Sequence, residues 1–231
     1  MSIFKNLWVV AKTGFFEEEK LSTNQLIKSF FKLLLILFFF KFLYLAFTAL
    51  LELIDGFILP MVSENTKLDD YSGLLKFTLT ALLAPIVEEF TFRLGLKFSK
   101  RNFIIMIGGL TFVVLKVLLH LDWEICLAAV SFVILFLSLI LKAKAIDSLA
   151  EFWKNHRLLI FYFLLLSFSV VHSTNFELSG PMLLYIPLLI LPQIMGGLVY
   201  GYARFNHGIL MSIGLHMASN GILTLPYLLS S

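Results

Sequence analysis

Leu74-Leu75-Lys76-Phe77-Thr78-Leu79-Thr80-Ala81-Leu82-Leu83-Ala84-Pro85-Ile86-Val87-Glu88-Glu89-Phe90-Thr91-Phe92-Arg93 begins as a membrane-crossing helix and ends in three charges. A charge near the centre of such a helix costs roughly 2.5–3.5 kcal/mol on insertion scales. Three uncompensated charges would cost on the order of 8 kcal/mol, comparable to the net stability of a whole domain. Glu89 and Arg93 are spaced i, i+4 with the acid N-terminal, the favourable order for a helical ion pair. Glu88 is rotated about 100° from Glu89 and has no oppositely charged residue at i±3 or i±4. A carboxylate so placed in a bilayer is a functional candidate by default.

The rest of the chain supports a membrane setting. Of its 231 residues 59% are hydrophobic and 14% charged, whereas soluble domains carry about 25% charge. Several apolar runs approach the roughly 20 residues that cross a bilayer, and none alternates with the dyad period of an outer-membrane barrel. The sequence predicts an all-α, polytopic transmembrane helix bundle with about seven spans, near 32–54, 74–96, 102–119, 124–142, 158–178, 182–203 and 207–228. One membrane domain then occupies 1–231, with no room for a separate soluble domain. Residues 1–28 form a cytoplasmic or interfacial segment that lacks the apolar core of a signal peptide and includes a short interfacial helix over Leu7 to Phe16.

Charge distribution gives an orientation. Lys97, Lys100 and Arg101, then Lys142, Lys144, Lys154 and Arg157, then Arg204, join Lys5, Lys12, Lys20 and Lys28 on one side. The opposite loops hold Asp55, Glu64, Asp69, Asp70, Asp122, Glu124 and Glu177, with Lys67 as their single base. The positive-inside rule places the N-terminus in the cytoplasm and the C-terminus outside. Lys32, Lys76 and Lys116 lie near enough to span ends to snorkel; Lys41 lies deeper and has no evident partner. Ala143 to His156 reads as an amphipathic cytoplasmic helix, and Pro181, Pro187 and Pro192 interrupt the sixth span. Cys126 is the only cysteine, which excludes an internal disulfide and a thiolate cluster and leaves a packing role.

Two further spans carry polar groups. The fifth contains Phe168-Ser169-Val170-Val171-His172 and the seventh His216-Met217-Ala218-Ser219-Asn220. His216 and Asn220 share one helix face. A carboxylate with an imidazole can take a proton from water, and a second imidazole with an amide N–H can donate to an oxyanion. Together Glu88, His172, His216 and Asn220 are the parts of an amide-hydrolysing site. Taken singly, membrane histidines and asparagines more often serve as hydrogen bonds between helices.

Glu88-Glu89-x-x-x-Arg93, Phe168-x-x-x-His172 and His216-x-x-x-Asn220, in that order, resemble the three motifs of the CPBP family, also called Abi: CAAX prenyl proteases and bacteriocin-processing proteins. The resemblance covers the second and the fifth to seventh spans. It implies an intramembrane endopeptidase in which Glu88, assisted by His172, activates water while His216 and Asn220 stabilise the oxyanion. Glu89, Arg93 and Phe168 would support the site. The family is described both as metalloprotease and as metal-free glutamate protease; Glu88, His172 and His216 could serve as three ligands of a divalent metal such as zinc. No His-Glu-x-x-His helix is present to signal that metal. Many relatives carry glycine directly after the arginine; here Leu94 intervenes before Gly95. The expected partners are membrane lipid and a peptide or protein substrate, prenylated or bacteriocin-like, with no nucleic acid. The expected location is a cell membrane, that of a prokaryote. Two other readings compete: a non-catalytic immunity or scaffold protein that binds a peptide, and a small transporter or proton relay. The transporter would show internal repeats, and the sequence has none.

Overall fold

The computed structural model describes residues 3–54, 71–176 and 178–229. The acidic loop residues Asp55, Glu64, Asp69, Asp70 and Glu177, with Lys67, lie outside them. The described residues form helices: α1 (Ile3–Thr13), α2 (Thr23–Leu51), α3 (Gly73–Phe77), α4 (Ala84–Phe92), α5 (Lys100–Phe112), α6 (Trp123–Ile140), α7 (Ala143–Asn155), α8 (Arg157–Val171), α9 (Ile186–Leu189), α10 (Leu191–His207), α11 (Ile209–Thr224) and α12 (Pro226–Leu229). Among them five stretches are long and apolar enough to cross a membrane: Thr23–Leu51, Lys100–Leu118, Trp123–Ile140, Arg157–Asn175 and Gly180–His207. The chain is a multi-pass membrane protein with an all-α fold.

Five of the seven expected spans coincide with these stretches. The other two are the expected 74–96 and 207–228. The latter is the shorter apolar helix Ile209–Thr224. The former is interrupted by a π-helical segment, Thr78–Leu83, between α3 and α4. Pro85 accounts for the interruption, because it has no N–H and its ring crowds the carbonyl one turn earlier. The turn before it widens, so Ala84 N–H donates to Leu79 O, five residues back. The expected proline effect in the sixth span also takes structural form: the 3-10 turn Gly180–Tyr185 and α9 precede α10.

The chain divides into two compact units. The first comprises Met1–Glu19, Ile86–Leu164 and Gly201–Ile213. Here α1 buries Leu7 and Val10 and turns Asn6 inward. Asn6 Nδ2 donates to Tyr202 Oη at 3.1 Å, Asn206 Nδ2 donates to the same oxygen at 2.8 Å, and Glu19 N–H donates to Asn206 Oδ1 at 2.9 Å. The N-terminal segment is thus tied to α10 by hydrogen bonds at Asn6, which is buried, and at Glu19. The amphipathic α7 sets Trp153 against Phe98 and Phe103. Lys100 caps α6, its ammonium donating to Ser138 O and Leu141 O, where helix carbonyls lack intrahelical donors. Lys116 reaches Leu121 O at 2.9 Å, and Cys126 is buried.

Glycines allow close approach in this unit. A Cβ on Gly109 would lie 2.2 Å from Thr91 Oγ1, and one on Gly95 would lie 2.2 Å from Met106 Sδ. The displaced glycine noted in the sequence therefore still serves close packing, one position later.

The second unit comprises Lys20–Pro85, Leu165–Tyr200 and Gly214–Ser231. Its long helix α2 begins where Ser22 N–H donates to Gln25 Oε1 at 2.8 Å, half of a capping box. A Cβ on Gly73 would lie 1.9 Å from Tyr227 O, so α12 packs directly on the start of α3. Lys41 has a partner in this unit: its ammonium donates to Ser219 Oγ at 2.7 Å.

Two outcomes are expected. Gly109→Val forces overpacking against Thr91 and lowers the stability of the detergent-solubilised protein by about 1–3 kcal/mol, read as a fall in thermal midpoint. The second concerns the exposed Glu18–Lys97 pair at 2.6 Å. The Lys97 hydrogen bond, and then its charge, hold the Glu18 carboxyl below its ordinary value of 4.5. A lowered folded-state value stabilises above the unfolded one and is lost as pH falls through the folded one. The stability difference between wild type and Lys97→Gln, under about 1 kcal/mol for an exposed pair, is therefore present at neutral pH and vanishes in acid well below 4.5.

Candidate functional site

In the first unit, α4 carries Glu88 and Glu89, with Arg93 one residue past its end. Glu89 and Arg93 are 0% and 2% exposed, and their charged groups lie 3.7 Å apart. The expected i, i+4 ion pair is present. Ser212, also buried, donates its hydroxyl to Glu89 Oε2 at 2.5 Å. Arg204, expected as a loop cation between spans, is instead a buried residue of α10. Its guanidinium donates to Arg93 O and Leu94 O, both at 3.2 Å, and so caps the C-terminal end of α4 where cations are favoured. Glu88, Glu89, Arg93 and Arg204 belong to the same unit. Glu88, half-buried, is the less enclosed of the two acids.

In the second unit, Phe168 links the two imidazoles. Its buried ring lies 4.5 Å from His172 and 6.0 Å, edge to face, from His216. His216 also stacks on Tyr200 at 4.5 Å with an interplanar angle of 18°. His172 stands at the end of α8 and opens the 3-10 turn His172–Asn175. Its Nδ1 lies 2.8 Å from Phe168 O. A carbonyl can only accept, so Nδ1 carries the proton; in the neutral ring Nε2 then presents its lone pair.

Asn220 has a defined structural task. Its Nδ2 donates to Thr80 O at 3.2 Å. Ala84, the α-helical donor for that carbonyl, bonds Leu79 instead, and the π-helical donor would be Pro85, which has no N–H. Asn220 therefore satisfies a carbonyl that its own helix cannot serve. One amide N–H is used in this way and the other remains for further donation.

Of the residues expected from the sequence, the structure brings Glu89 to Arg93 in one unit and Phe168 to His172 and His216 in the other. Glu88 belongs to the first unit, and Asn220 to the second. The sequence reading missed Ser212, Arg204, Thr80 and Ser219. Ser212 stands at i−4 from His216 and Ser219 at i+3, so helical spacing set both near its face but named no partner for either. Arg204 was masked by its place near the positive end of an apolar run.

The expectation of a divalent metal is corrected. Among the described residues, which include Glu88, His172 and His216, no group of three or more His, Cys, Asp and Glu side chains could hold a metal ion. The physical reason is geometric: ligation requires three donor atoms to converge on one point, and the described side chains form no such group.

Arg93→Met leaves the buried Glu89 without its ion-pair partner and costs about 3–5 kcal/mol. The double variant Glu89→Gln/Arg93→Met is more stable than Arg93→Met alone, because the uncompensated charge is gone. A double-mutant cycle of thermal stability in one detergent measures both values. In comparisons with known proteins, no family model, no curated protein and no solved structure matches this chain.

Proposed function

We propose that the protein is an intramembrane endopeptidase that hydrolyses a peptide bond in a membrane-associated peptide or protein. The observation that carries this reading is the pair of imidazoles held by Phe168, with the His172 tautomer set by a backbone carbonyl. It accompanies three ordered motifs that resemble those of the CPBP family, on helices of a multi-pass membrane protein. The buried Glu89–Arg93 pair also supports it, because it gives the more enclosed acid of the doublet a structural role beside the half-buried Glu88.

The reaction follows from the groups. Glu88, assisted by His172 Nε2, takes a proton from water, and the hydroxide attacks the scissile carbonyl carbon. The carbonyl π pair moves onto oxygen, where a His216 N–H and the second Asn220 N–H donate to the developing charge. Collapse of the tetrahedral species expels the amine, which takes the proton from the Glu88 carboxyl. General-base catalysis contributes roughly 10²–10⁴-fold and each oxyanion donor about 10²–10³-fold.

One observation favours a second reading. Asn220 capping Thr80 O is a structural role that a non-catalytic immunity or scaffold protein would also retain. That reading predicts full protection or partner binding by Glu88→Gln.

The test uses purified protein in proteoliposomes and a library of quenched-fluorescent peptides, each with one hydrophobic anchor. Glu88→Ala and His172→Ala each lower cleavage by at least about 10²-fold while the thermal midpoint stays near that of wild type. Undiminished cleavage by both folded variants contradicts the mechanism.

A further inference from the structure

The first unit contains a cleft of about 780 Å³ that the proposed reaction does not use. It lies between the segment after α1 and the corner where α7 meets α8, and its volume falls in the range of ligand sites, about 300–1,000 Å³. Three acids, Glu17, Glu18 and Glu19, and two bases, Lys154 and Arg157, line it. Glu18 is engaged by Lys97. The remaining two acids and two bases are exposed, and among the described residues none of the four has an ion-pair partner. A ligand matching both pairs carries an anion and a cation and little net charge.

The walls are held in place. Glu19 N–H is bound by Asn206, and Tyr162 Oη donates to Ala11 O at 2.7 Å, fastening α8 to α1. Arg157 Nε donates to Lys154 O at 3.0 Å, and its guanidinium covers the Phe15 ring at 4.6 Å. Two nitrogens of that guanidinium remain as donors for an anion.

Position identifies the source of the ligand. Arg157 is the first residue of a membrane-length apolar helix, followed by the exposed Leu158 and Leu159. Along α1, Phe4 and Trp8 are exposed at i, i+4 spacing, the aromatic placement of a membrane–water interface. The cleft therefore opens at headgroup level, and Val9, Phe16 and Leu158 give it apolar lining.

We infer that this cleft binds the headgroup of a zwitterionic phospholipid bearing a primary amine, phosphatidylethanolamine. Lys154 and Arg157 hold the phosphodiester, and Glu17 and Glu19 accept hydrogen bonds from the ammonium. A quaternary choline has no N–H to give these carboxylates, and the Phe15 face that would attract it is occupied by Arg157. An anionic headgroup leaves both acids unmatched.

The full-length protein is reconstituted in vesicles of equal phosphatidylethanolamine, phosphatidylcholine and phosphatidylglycerol, extracted in mild detergent, and its retained lipid quantified by mass spectrometry. Wild type retains the ethanolamine lipid roughly tenfold over either competitor, the effect of one charged hydrogen bond. Lys154→Gln/Arg157→Gln and Glu17→Gln/Glu19→Gln lose the preference, while Arg157→Lys keeps most of it. Glycerophosphoethanolamine added to wild type displaces the lipid and glycerophosphoglycerol does not, a readout that needs no variant. Equal retention of the three lipids by wild type, an unchanged preference in both charge variants, or equal displacement by the two soluble headgroups overturns the inference.

Discussion

A carboxylate and a guanidinium removed from water must find each other or equivalent partners, and in a membrane protein that requirement governs where polar residues can sit. Glu89 and Arg93 meet it through their spacing on one helical turn, with the Ser212 hydroxyl on the second carboxylate oxygen. Arg204 meets it through two backbone carbonyls at the end of the same helix. These contacts replace water's hydrogen bonds for groups that would otherwise cost several kcal/mol each. Fixing one acid of a doublet in this way makes it structurally affordable to carry a second, and it is the second that the proposed chemistry uses.

Backbone groups obey the same rule. Pro85 widens the turn before it and leaves Thr80 O without a donor in either helical register. Asn220 supplies that donor from another helix. π-segments of this kind occur often at functional sites, and here the residue that answers the π-segment also belongs to the motif His216-x-x-x-Asn220. Structure and proposed catalysis thus draw on one side chain with two N–H groups.

Much of this was legible in the sequence. Apolar run lengths gave an all-α membrane bundle, because hydrocarbon admits helices whose backbone bonds close internally. Spacing alone predicted the Glu89–Arg93 pair and the α7 helix. What could not be read were partners distant in the chain: Ser212 for Glu89, Ser219 for Lys41, Thr80 for Asn220. Each depends on which helices pack together, and periodicity is silent on that. Arg204 was misplaced because a basic residue near the end of an apolar run looks like a loop anchor, whereas the structure buries it against carbonyls. The expected zinc site failed for a related reason. Three residues of types suited to a metal, Glu88, His172 and His216, were named from their positions in the chain, and ligation requires them to converge.

The central claim is a division of labour between adjacent acids, and one parallel measurement addresses it: thermal stability and peptide cleavage of Glu88→Gln and Glu89→Gln in the same reconstituted preparation. The account predicts that Glu88→Gln melts like wild type and does not cleave, while Glu89→Gln melts lower, having lost the charge that pairs with Arg93. A Glu88→Gln protein that cleaves at the wild-type rate, or a Glu89→Gln protein with unchanged stability and no cleavage, contradicts it.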